Sequence, residues 1–142
     1  IAAIGVAAHE CGHAMQDAGG YVPLRVRGAL VPVANFGAQI SWPLILIGIL
    51  FSSGSSSMLI TLGILMFSLS VLFQLVTLPV EFNASSRAVN LLDRTGILAG
   101  QEVGQTRQVL SAAALTYVAA AAASILQLLR LLYLFGGNRR RD

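Results

Sequence analysis

The sequence predicts an all-α integral membrane protein, and three observations carry that reading. Of 142 residues, 56% are hydrophobic and only 11% charged, with a mean hydropathy of +0.76. Soluble domains are roughly a quarter charged, so a free globule this poor in charge has too little polar surface to cover itself. From Gly28 to Val80, a run of 53 residues, there is no Asp, Glu, Lys, Arg or His, where one spanning helix needs roughly 20. No alternating β-rich pattern and no internal repeat interrupts the apolar runs.

The elements follow in chain order. Residues 1–20 form a helix: Ile1 to Ala18 has helix-forming composition and stops at Gly19-Gly20. Residues 34–78 form a transmembrane helical hairpin. Its first arm, Ala34 to Phe51, carries Asn35, Gln39, Ser41, Trp42 and Pro43. Trp42 suits the membrane interface, and Pro43 suits either a first turn or a kink. The polar break from Ser52 to Ser57 makes the turn, and Met58 to Leu78 makes the second arm. The alternative is two buried helices of a soluble core, but neither arm shows the polar face such helices carry. Residues 79–95 form a separate helix opened by Pro79, which suits a first helical turn, and closed before Gly96. Residues 102–135 form a long helix and third span. Gln108 to Leu129 lacks charge, its alanines (Ala112 to Ala114, Ala119 to Ala123) allow close helix approach, Arg130 can snorkel, and Gly136-Gly137 ends it. The alternative is a helix lying against the hairpin. The whole 1–142 stretch reads as one domain, and a start at Ile1 rather than Met reads as part of a longer chain.

Charge and cysteine narrow the function. Nine arginines against six acids give +3, too weak and scattered for nucleic acid. Cys11 is the one cysteine, which excludes an intrachain disulfide; packing is the role left to it.

The only histidines are His9 and His13, in His9-Glu10-Cys11-Gly12-His13. On a helix, residues four apart lie about 40° apart around the axis, so both imidazoles can share one metal ion. Glu10 is turned about 100° from His9 and can serve as base toward a water on that metal. Gly12 lets another element approach closely. The bland alternative is two surface histidines beside an acid.

A catalytic zinc site needs a third protein ligand, and no further His exists. Asp17 lies about 12 Å along the helix from His9 and cannot join both histidines on one ion; Asp142 sits in the terminal tail. Asp93, Glu102 and Glu81 remain. A two-span hairpin returns the chain to its starting side and sets Glu81 beside the histidine helix, in the apolar context Leu78-Pro79-Val80-Phe82, where an acid needs a partner. Its plainer role is at a helix N-terminus. Asp93 and Glu102 lie farther along, beside helix ends, where capping or solvation accounts for them.

These residues resemble the neutral zinc metallopeptidases of bacterial membranes, the YugP type. The resemblance covers nearly the whole chain: Ala7 to Ala14 around the histidines, Leu75 to Ala88 around Glu81, and Leu110 to Ala121. It implies an integral protein of the bacterial plasma membrane with an upstream spanning helix and a soluble stretch. The Glu81 segment is also similar to HtpX and CAAX-prenyl-protease-type membrane zinc peptidases. In those, Ala follows the ligand Glu by three residues and Asp by four. Ala84 fits, whereas Ser85 stands where the Asp would be, and can orient a ligating histidine more weakly.

The expectation is therefore a gluzincin-like zinc metallopeptidase of the membrane acting on polypeptide. Zn²⁺ is held by His9, His13 and Glu81, and Glu10 is general base to a zinc-activated water. Tyr117, Arg87 and Asn83 are candidates to stabilise the oxyanion, with Arg87 equally suited to an ion pair and Tyr117 to the membrane interface. Arg25, Arg27, Arg87, Arg94 and Arg107 share the site's face, against Arg139 to Arg141 opposite, which favours a cytoplasmic site; the HtpX-type resemblance implies the same. The terminal triplet argues the other way, or binds anionic lipid headgroups. The lipid bilayer and a polypeptide are the expected partners, and nothing in the sequence sets an oligomeric state. Two other readings compete: a site-2-type intramembrane protease, which wants an Asp ligand that no span supplies, and a non-catalytic metal-binding scaffold, which has no use for Glu10.

Overall fold

The computed structural model describes residues 1–51 and 56–136. Four helices, α1 (Ala2–Ala18), α2 (Val22–Leu50), α3 (Ser56–Thr95) and α4 (Gln101–Gly136), make up almost all of it. No strand occurs among the described residues, so the fold is all-α as expected. Most of the expected turn at Ser52–Ser57, Gly137, the Arg139–Arg141 triplet and Asp142 lie outside the described residues.

Three helices, α2, α3 and α4, are long and apolar enough to cross a membrane. Only 11% of the most apolar window of α3 and 17% of that of α4 are buried by the chain itself. Apolar surface so extensive and uncovered suits lipid rather than water.

Two helices depart from expectation. Helix α2 begins at Val22, well before residue 34, and holds both Pro32 and Pro43 in its interior. The separate helix expected at 79–95 is corrected: Pro79 lies inside the continuous α3. A proline there removes one backbone donor and leaves the Leu75 carbonyl without its helical partner. Ending the helix in an apolar setting frees far more backbone groups, so continuity wins. Cys11 is exposed.

Contacts divide the chain into two compact units: Ile1–Gly28 with Val76–Ala119, and Ala29–Leu75 with the described residues from Ala120 onward. In the second unit α2 and α3 run antiparallel at close range. A Cβ on Gly63 would stand 2.7 Å from Ile45 Cγ1 and 2.9 Å from the Ser41 carbonyl oxygen. Trp42 meets Phe67 edge-on at 6.3 Å. Small residues permit such approach where no water drives helices together.

The first unit combines α1, the first turns of α2, the second half of α3 and the first half of α4. Its core is Ala8, Ala88, Val89, Leu92, Leu98 and Leu110, with Val103 packed against them. Helix α1 ends at Ala18 before Gly20, whose φ of 69° is a left-handed value suited to glycine. The Tyr21 N–H then donates to the Gln16 carbonyl at 2.9 Å. Along α3, Val80, Ala84 and Ala88 are fully buried. Gly12 of α1 sits so close to Ala84 that any Cβ would overlap the Ala84 backbone. This contact sets the histidine turn of α1 directly on the Glu81 turn of α3.

Candidate metal centre

Three donors converge where α1 crosses α3. His9 Nε2 lies 2.8 Å from Glu81 Oε2 and 3.1 Å from His13 Nε2, and His13 Nε2 lies 3.5 Å from Glu81 Oε1. One ligand atom from each residue lies within 4.8 Å of the others. The rings stand at 90° with centroids 4.7 Å apart. Among the described residues this is the one cluster of three such side chains; Asp17, Asp93 and Glu102 stand outside it.

Each donor has an outer partner. His9 Nδ1 is 3.0 Å from Ser85 Oγ, and His13 Nδ1 is 3.0 Å from Gln16 Oε1. The Gln16 amide nitrogen donates to the Val80 carbonyl at 2.8 Å and to Asn83 Oδ1 at 3.0 Å. Arg87 Nε donates to the same Asn83 oxygen at 2.7 Å, and its guanidinium stands 5.6 Å from the centre of the Tyr21 ring. Arg27 Nη1 donates to Glu81 Oε1 at 2.9 Å.

The network assigns a tautomer. Arginine only donates, so Asn83 presents its oxygen to it. Gln16 then turns its NH₂ toward Asn83 and the Val80 carbonyl, both acceptors, and its oxygen toward His13. Neutral His13 must therefore carry its proton on Nδ1, which leaves a bare lone pair on Nε2, the atom aimed at His9 and Glu81. The Ser85 hydroxyl can donate or accept and fixes nothing alone.

Burial separates the carboxylates. Glu81 is 3% exposed, a costly place for a charge without partners, and Arg27 with the two imidazoles supplies them. Glu10 is exposed and forms no hydrogen bond or ion pair among the described residues. It lines two cavities together with His9, Glu81 and Tyr117.

Of the candidates around the centre, Ser85 touches a histidine and Tyr117 lines both cavities. Asn83 and Arg87 engage each other, with Asn83 bonded to Gln16 rather than to His9, His13 or Glu81, and Arg87 pairs with no acid among the described residues. Sequence reasoning passed over Gln16 and counted Arg27 only as a charge. Gln16 had a usable signal, since it stands three residues after His13 on the same helix face. Arg27 had none, because its reach to Glu81 is purely tertiary.

Residues 1–136 match the family model described as "putative neutral zinc metallopeptidase". The chain belongs to this family. A family relative, "Putative membrane protease YugP" of Bacillus subtilis (strain 168), is 48% identical over 139 residues, or 98% of the chain and 60% of the relative. The chain thus spans well under two thirds of that protein's length. No solved structure matches.

The family's metal is zinc, and the donors fit it. Tetrahedral Zn²⁺ with bonds of about 2.0–2.1 Å sets its ligand atoms roughly 3.3 Å apart, within the span of the separations above. Two neutral imidazole nitrogens facing each other at 3.1 Å repel unless a cation or a shared proton lies between them. Two nitrogens and a carboxylate oxygen form a common catalytic-zinc donor set.

Proposed function

We propose that this chain is the membrane-embedded catalytic part of a zinc metallopeptidase that hydrolyses peptide bonds. His9, His13 and Glu81 would hold the ion, and Glu10 is the general base. The observation that carries the reading is the pairing of a convergent two-His, one-Glu donor set with an unengaged carboxylate facing the same cavities.

Zinc bound there supplies Lewis acidity, lowering the pKa of a water and polarising the substrate carbonyl. The Glu10 carboxylate accepts a proton from the attacking water as its oxygen bonds to the carbonyl carbon. Glu10 then returns that proton to the amine nitrogen as the C–N bond breaks. Tyr117, whose side chain lines both cavities, is the remaining hydroxyl donor for the oxyanion. Ser85 and Gln16 orient the histidines, and Arg27 neutralises Glu81 and occupies one of its oxygens.

The site faces the cytoplasm in this reading, supported by the arginine balance across the spans. Cys11, exposed and one residue from Glu10, gives a direct test. A membrane-impermeant maleimide should label it only after lysis; labelling in intact spheroplasts refutes the orientation.

The catalytic test uses two variants. Glu10→Gln should keep stoichiometric zinc and lose casein cleavage, whereas Glu81→Gln should lose zinc. A Glu10→Gln protein that cleaves like the parent ends the proposal.

A further inference from the structure

Beside the metal centre the first unit contains a larger groove of about 420 Å³, the size of a site for a small ligand or short peptide segment. One face of α3 and one of α4 wall it, with Phe82 and Val89 opposite Leu110 and Leu115, and with Asn90 and Arg107 toward the α3–α4 connection. It shares Ser85, Leu110 and Ala114 with the cavity that holds His9, Glu10 and Glu81. The groove therefore adjoins the metal centre, with these three residues common to both.

Its chemistry changes along its length. Most of the lining is apolar, interrupted midway by Ser85, Ser86 and Ser111. The far end carries Arg107, which is exposed and pairs with no carboxylate among the described residues. From Glu81 to Asn90 is nine residues of helix, about 14 Å. An extended peptide advances roughly 3.3–3.6 Å per residue, so about four residues separate the metal centre from the Arg107 end.

We propose that this groove is the substrate-binding channel on one side of the scissile bond. It takes an extended segment of about four residues, largely apolar, with a carboxylate at its end received by Arg107. That carboxylate is an acidic side chain or a chain terminus. The proposal rests on the zinc-peptidase reading of the adjoining centre.

The test separates the two. Zinc-loaded Glu10→Gln protein in detergent is titrated with fluorescent peptides built on a Leu-Phe-Leu core. Four endings are compared: Glu followed by further residues, Gln in its place, a free C-terminal carboxylate, and a C-terminal amide. One carboxylate ending should bind about two- to fivefold tighter than its neutral counterpart, the range for an ion pair at an exposed site; whichever does so names the source. Arg107→Gln should erase that preference, and Arg107→Glu should reverse it in favour of the neutral endings. Ser111→Trp, which fills the groove, should weaken all four peptides at least tenfold. In the parent, kcat/KM should follow the same ranking. Folded, zinc-loaded Arg107→Gln and Ser111→Trp proteins that rank the peptides as the parent does overturn the channel. So does a tightly held lipid, found by mass spectrometry, that no peptide displaces. Residual cleavage by Glu10→Gln would sink the proposed base, while the binding data still judge the groove.

Discussion

Gln16→Leu is the sharpest probe of the metal centre, because it removes polarity while nearly keeping volume. Gln16 is fully buried and makes three hydrogen bonds, to His13 Nδ1, the Val80 carbonyl and Asn83 Oδ1. Leucine leaves the His13 Nδ1–H without an acceptor and releases the constraint that keeps the Nε2 lone pair on the metal side. Loss of an outer partner of a ligating histidine typically costs 10- to 100-fold in metal affinity, or about 1.4–2.7 kcal/mol. The orphaned groups add about 1–3 kcal/mol of destabilisation, so folding is monitored alongside. Zinc affinity is read by chelator competition at fixed pH. The tautomer is read from ¹⁵N imidazole shifts of the apo protein, which should report His13 protonated on Nδ1 in the parent and a mixture in the variant. Gln16→Glu separates the roles: its carboxylate still accepts from His13 but repels Asn83 Oδ1 and the Val80 carbonyl. It should hold zinc at least as tightly as the parent while melting lower. A folded Gln16→Leu protein with zinc affinity within threefold of the parent refutes the orienting role.

Further outcomes follow from the same geometry. Ser85→Ala should weaken zinc by about tenfold, and Ser85→Asp should restore or exceed the parent, both by chelator competition. Gly12→Val drives a side chain into the Ala84 backbone. It should cost more than the 1–3 kcal/mol typical of overpacking and remove zinc with the fold, seen as a lowered thermal midpoint in detergent. Tyr117→Phe should lower kcat by about 10²-fold with KM and zinc content little changed, as for loss of one oxyanion donor. An unchanged kcat would remove Tyr117 from the mechanism.

How much of this was legible before any coordinates depends on how local the signal is. The helix of His9 and His13 and its stop at Gly19-Gly20 rest on neighbours within a few residues, and both are seen. Glu81 was singled out by a coarser argument: an apolar hairpin must return the chain to its starting side. That needs only span counting, and the structure brings the carboxylate to the histidines. Pro79 misled because the same residue is favoured in a first turn and tolerated within a helix whose backbone has no water to turn to. Sequence shows the proline, and packing decides between the two. Arg27 was opaque for a different reason. A charge following a turn carries no mark of which distant acid it meets, so it entered only the count for orientation.

Arg27 nevertheless bears on whether the centre is open or closed. Glu81 has two oxygens, and Arg27 engages Oε1 at 2.9 Å while Oε2 faces His9 Nε2 at 2.8 Å. With Oε1 held by the guanidinium, Oε2 is the oxygen Glu81 would offer, and with the two imidazole nitrogens the chain would supply three ligand atoms. Three protein ligands would leave a fourth position for water, the pattern of catalytic rather than structural zinc sites. Charge points the same way. Arg27 and Glu81 cancel, which would leave Glu10 as the nearby carboxylate to offset a bound dication. Proton transfer from water to Glu10 would leave the net charge of the centre unchanged and move the negative charge onto the reacting oxygen, where a bound cation stabilises it best. Arg27→Met should therefore do more than expose a buried carboxylate. Glu81 should be freed to bind through both oxygens, and cobalt substituted for zinc should report it. Visible absorption of the cobalt protein should weaken as the geometry moves from four- toward five-coordinate, with kcat falling further than cobalt affinity. An unaltered cobalt spectrum in a folded Arg27→Met protein would show that the guanidinium does not govern how Glu81 meets the metal.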